Sequence, residues 1–121
     1  GYRQYTLAVK DGEFGDRSTR RMVPGACFIA VTEYVPGAGL QAATGLFAPQ
    51  RIELPLDPTT FGARALAHPH PGQAGMQQFC TIARRPLCLY VVLAGGRSTR
   101  RRQLTEVNHV LRTLRIRARA G

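Results

Sequence analysis

The stretch that decides the fold is Met76-Gln77-Gln78-Phe79-Cys80-Thr81-Ile82, then Ala83-Arg84-Arg85-Pro86, then Leu87-Cys88-Leu89-Tyr90-Val91-Val92-Leu93. Two runs rich in β-branched and aromatic residues flank a short polar break. That pattern predicts a β-hairpin. The longest apolar run, Leu87 to Ala94, is buried-strand length. It falls well short of the roughly 18 residues a membrane helix needs.

Outward from the hairpin, Gly95-Gly96 ends the second strand. Ser98 or Thr99 then stands where an N-cap belongs. Leu104, Val107, Leu111 and Leu114 recur three and four residues apart, one stripe of an amphipathic helix that Val110 widens. Arg100 to Gln103, Glu106, Asn108 and Arg112 lie off the stripe, and Arg100, Glu106 and Arg112 are expected to be exposed. From Leu114 to Ala118, apolar residues alternate with arginine, the pattern of a short terminal strand.

Upstream, Tyr5, Leu7 and Val9 alternate with polar or small residues, predicting a strand over 2–10, with a turn at Asp11-Gly12. Pro24-Gly25 suits a type II turn, because glycine tolerates the positive φ after proline. It launches Ala26 to Tyr34, apolar on both faces and therefore placed near the sheet centre. Residues 36–50 lack a period and predict a loop or a short irregular helix ending near Phe47. Ile52, Leu54 and Leu56 alternate with Arg51, Glu53 and Pro55; the proline marks an edge strand. The expectation is one α+β domain over 1–121. It has an antiparallel β-sheet of about five to six short strands packed by a C-terminal amphipathic helix.

Charge is the unusual bulk property. Lysine and arginine number 17 against seven carboxylates, a net charge of +10. All but Lys10 are arginine, whose planar fork suits phosphate and carboxylate. Such a field draws anionic partners: nucleic acid, acidic protein or an anionic surface. One pentapeptide occurs twice, as Arg17-Ser18-Thr19-Arg20-Arg21 and as Arg97-Ser98-Thr99-Arg100-Arg101, the second followed by Arg102. The flanking sequences differ, so this is no structural repeat. Arg17, Arg20, Arg21, Arg97, Ser98, Arg100, Arg101 and Arg102 are therefore the candidate anion-binding residues. The second copy sits at an expected helix N-terminus, where free N–H groups favour anions. The alternative is a pair of solvated basic turns.

Catalytic and metal motifs are sparse. No C-x-x-C pair and no nucleophile elbow occurs. His68 and His70 flank Pro69, and side chains two apart in extended chain diverge, a poor chelate. No metal or other cofactor is expected. Glu33 inside an apolar strand is either a perturbed acid or, preferred here, an edge carboxylate paired to arginine. Cys80 and Cys88 are symmetric about Arg84. A three-residue loop Ala83–Arg85 would set them opposite each other, where a disulfide is possible in a non-hydrogen-bonded pair; Cys27 pairing with either, or three buried free thiols, are the alternatives.

A sheet followed by a helix ending in Val110-Leu111-Arg112-Thr113-Leu114-Arg115-Ile116 resembles the C-terminal end of Mog1/PsbP-type domains over about the last third of the chain. The resemblance implies an α/β/α sandwich as an alternative fold. It also implies a small module, often non-enzymatic and often extracytoplasmic. The arginine content departs from that pattern, and no functional residue is carried across. The functional expectation is a non-enzymatic binding or interaction domain, with extracytoplasmic placement favoured. The alternative is a nucleic-acid or other polyanion-binding protein that uses the arginine clusters 17–21 and 97–102.

Overall fold

A computed structural model describes residues 16–34 and 42–117. The strand expected over 2–10, the Asp11-Gly12 turn and the start of the 36–50 loop lie outside the described residues. The elements are helix α1 (Asp16–Arg20), strand β1 (Cys27–Glu33), strand β2 (Gln73–Ile82), strand β3 (Arg85–Ala94) and helix α2 (Arg97–Thr113). Three short 3-10 turns, Gly45–Phe47, Pro58–Thr60 and Ala63–Ala65, punctuate the long segment between β1 and β2.

The class is α+β. The sheet is antiparallel in the order β1-β3-β2. Among the described residues it has three strands, not five to six. Two expected strands form no ladder. Arg51 to Leu56 does alternate in burial, with Leu56 2% exposed. Its amides, however, bond side chains. Glu53 N–H donates to Gln78 Oε1 and Leu56 N–H to Asn108 Oδ1, while Pro55 has no N–H to give. Residues 114–117 are likewise irregular.

The central strand is β3, not the Ala26–Tyr34 run. From Leu87 to Ala94 no residue is more than 3% exposed, because both faces of the sheet are covered. One face meets Leu104, Val107 and Leu111 of α2, together with Leu56 and Phe61, over Leu89, Val91 and Leu93. The other packs Leu66 on Phe28, Tyr90 and Val92, with Met22 beside them. Phe61 and Leu66 thus lie on opposite faces. Between them Gly62 bridges to Gly75 at the β2 edge, so the segment wraps that edge. A Cβ on Gly75 would stand 2.7 Å from Leu66 Cδ2, so the missing side chain lets Leu66 pack close over β2 and any larger residue would push it aside. The second face carries α1 and 3-10 turns among the described residues, not the long helix a sandwich would place there.

The hairpin turn is tighter than its sequence suggests. The strands run to Ile82 and from Arg85, leaving Ala83-Arg84 as a two-residue loop. Their φ values are 53° and 64°, the type I′ signature, without the Asn-Gly that normally supplies it. One residue fewer in the loop shifts the register by one. Cys80 opposes Leu87 and Phe79 opposes Cys88. Opposed residues share a face and neighbours alternate, so Cys80 and Cys88 point to opposite sides of the sheet. This register does not suit the possible Cys80–Cys88 disulfide, and all three cysteines are free, the alternative reading.

Candidate functional site

Antiparallel pairing places the start of β1 and the end of β3 side by side, with Cys27 opposite Leu93. The first pentapeptide precedes β1 and the second follows β3. Both therefore lie at one end of the sheet. Gly25 N–H donates to Ala94 O at 2.8 Å, Gly95 N–H to Gly72 O at 3.0 Å and Gln73 Nε2 to Thr19 O at 2.6 Å. Gly25, at φ 92°, closes the expected turn, with Ala26 N–H donating to Val23 O at 3.0 Å. Arg102 reaches this turn: a Cβ on Gly25 would stand 3.0 Å from its Nη2.

Within each copy the threonine turns inward and most arginines face outward. Thr19 is 1% exposed, whereas Arg17, Arg20 and Arg21 are exposed. In the second copy Arg97, Ser98, Arg101 and Arg102 are exposed and Arg100 is half-buried. Helix α2 starts at Arg97 with Gly96 as its N-cap and no side-chain cap. Neither Ser98 nor Thr99 caps it. The Thr99 hydroxyl lies 3.1 Å from the Gly96 carbonyl and 3.2 Å from Gln103 Oε1. The helix thus starts without a side-chain cap from its N-cap residue, at the positive end of a 17-residue dipole.

Among the described residues, Arg102 is the member of the 97–102 run with a carboxylate in reach, Glu106 at 3.8 Å. Glu33 is spent elsewhere, held by Arg85 Nε at 2.9 Å and Nη2 at 2.8 Å. This is the paired edge carboxylate expected for that position, and the bond to Glu33 holds the Arg85 guanidinium above its ordinary pKa. Asp57 accepts the Thr59 amide and hydroxyl, which together hold its carboxyl below the usual range.

Beside the second cluster, α2 and the segment around residues 55–61 enclose an open groove of about 710 Å³. Pro55, Leu56, Phe61 and Leu104 give it apolar walls; Arg97, Arg100 and Arg101 line its other side. Arg100 Nε is buried with no hydrogen-bond partner. Sequence reasoning named these arginines but missed the groove, because its walls come from segments some 40 residues apart. Arg100, expected to be exposed, is half-buried, and sequence reasoning also missed Gln103 and Asn108, which it placed only off the apolar stripe. They are 0% and 8% exposed, and a hydrophobic stripe carries no signal for a buried amide.

Thiol chemistry has little footing. Burial pushes the Cys88 thiol up to about 12, partly offset by a hydrogen bond from Tyr34. It pushes Cys27 up to about 11 and Cys80 upward as well. Among the described residues no group of three or more His, Cys, Asp or Glu side chains is placed to hold a metal. No helix among them is long and apolar enough to cross a membrane. Comparison with protein-family models, with curated proteins and with solved structures finds no match to this chain.

Proposed function

We propose that this protein is a non-enzymatic binding domain that takes an anionic partner at the arginine-bearing end of its sheet. One observation carries the reading: the topology delivers both Arg-Ser-Thr-Arg-Arg copies to one end of the sheet. Arginines gathered in this way repel one another unless a ligand or acidic neighbours neutralise them. The uncapped N-terminus of α2 adds positive potential at the same place.

The test is a salt titration of affinity for heparin and for duplex DNA. The variants are wild type, Arg100→Ala with Arg101→Ala, and Arg17→Ala with Arg21→Ala. Each phosphate neutralised on a duplex contributes a log–log slope of about −0.9. Each double variant should flatten the slope by roughly two units. Equal slopes, or no binding of either polyanion at low salt, would refute the proposal.

A further inference from the structure

We infer that the partner is an acidic protein segment, bound extended in the groove beside α2 with acidic residues on the arginines and alternate apolar residues on the opposite wall. This rests on the reading of the arginine end as an anion-binding surface and adds the chemical class of the ligand. Three independent features of the groove point to it.

Its sides differ in chemistry. Arg97, Arg100 and Arg101 line one side; the exposed prolines Pro55 and Pro58 line the other. A plain polyanion would use the first and leave the second wet. A ligand that fills both must carry charge on one edge and apolar groups on the other.

The spacing is that of an extended chain. Arg97 stands one helical turn, about 5–6 Å at Cβ, from both Arg100 and Arg101, a short row of guanidinium positions two steps long. Alternate residues of an extended strand repeat every ~6.6 Å, and the residues between them point the opposite way. A strand alternating acidic and apolar residues therefore meets arginine on one edge and the proline-rich wall on the other. A single-headed amphiphile would leave most of the row unneutralised.

Arg100 has an unmet donor. Its Nε–H is buried without an acceptor, a costly state for a charged group. A carboxylate bound side-on takes Nε–H and an Nη–H together, which a modest rotation of the side chain toward the groove would permit. Single-stranded nucleic acid fits less well, because base stacking needs an open aromatic face. The one ring on the groove, Phe61, is only 8% exposed.

The experiment is fluorescence anisotropy with a labelled hexapeptide of alternating Glu and Leu. An alternating Glu and Ser hexapeptide of equal charge and an oligothymidylate serve as comparisons. The Glu-Leu peptide should bind roughly tenfold or more tighter than the Glu-Ser peptide, a difference of about 1.4 kcal/mol. Arg100→Ala with Arg101→Ala should weaken it at least about tenfold. Thr105→Glu places a competing carboxylate four residues from Arg101 on the exposed helix surface and should weaken it severalfold. Arg64→Ala, at an exposed position that does not line the groove, should leave it nearly unchanged. Equal binding of the two peptides would overturn the inference while the polyanion titration still stood. Tighter binding of oligothymidylate through Arg100 and Arg101 would overturn it in favour of nucleic acid. Failure of both peptides and both polyanions at low salt would remove the two proposals together.

Discussion

Gln103 Nε2 donates to the Ala94 carbonyl at 2.7 Å, and its second proton goes to the Ala26 carbonyl at 2.9 Å. One amide in the first turns of α2 therefore clamps the end of β3 and the approach to β1. This is the junction that holds the two arginine copies at one end of the sheet. Gln103 is fully buried, so its hydrogen bonds form out of competition with water.

Gln103→Ala should destabilise the fold by about 2–3 kcal/mol, as two buried bonds and some packing are lost. Gln103→Glu should be worse at neutral pH, because a carboxylate would face two carbonyl oxygens. The buried acid would have a raised pKa, so the excess penalty should shrink as pH falls toward and below ~4.3, where the unfolded chain also protonates. Urea unfolding at pH 7 and pH 4 checks this. An equal penalty at both pH values would mean that Gln103 does not face those carbonyls.

The Ala83-Arg84 turn holds two non-glycine residues at φ 53° and 64°. Each costs roughly 1–2 kcal/mol in the left-handed region. Ala83→Asn with Arg84→Gly should therefore stabilise the protein by about 1–2 kcal/mol, read as a higher urea midpoint at unchanged m. A lower midpoint would contradict the two-residue loop, and with it the register of the hairpin.

The register also fixes thiol behaviour. With Cys80 opposite Leu87, non-reducing mass spectrometry should show three free thiols even after mild oxidation. Native protein at pH 8 should react slowly with a disulfide reagent, because burial raises Cys88 to about 12 and Cys27 to about 11. Denaturation should release all three. A raised thiol pKa favours the protonated form in the fold, so this contribution is complete below about pH 9. It is lost as pH climbs toward the folded values of about 11 and about 12. A Cys80–Cys88 bridge in the native protein would overturn the pairing.

Leu111 is 4% exposed beneath α2. Leu111→Ala should cost about 2–5 kcal/mol, the range for a core leucine whose site only partly collapses. Calorimetry or chemical unfolding measures it. A cost under about 1 kcal/mol would mean that α2 is not packed as described.

The sequence by itself determined the parts governed by local periodicity. The hairpin of β2 and β3, the α2 stripe at Leu104, Val107 and Leu111, and the type II turn at Pro24-Gly25 follow from spacing alone. So did the doubled arginine pentapeptide, and Glu33 as a carboxylate paired to arginine. Tertiary structure decided whatever depends on a count of one or on a partner far along the chain. A single residue in the Ala83-Arg84 loop sends Cys80 and Cys88 to opposite faces, because side chains alternate with a period of two. The alternation of Ile52, Leu54 and Leu56 reported burial correctly but not pairing. A segment can bury alternate residues while its amides bond Gln78 and Asn108 side chains instead of a strand. Gln103 reads as polar helix surface until β1 and β3 bring two carbonyls beneath it. The groove exists because an edge-wrapping segment lies across the first turns of α2. Local pattern fixes which face of an element is apolar; only packing fixes which distant backbone groups that face meets.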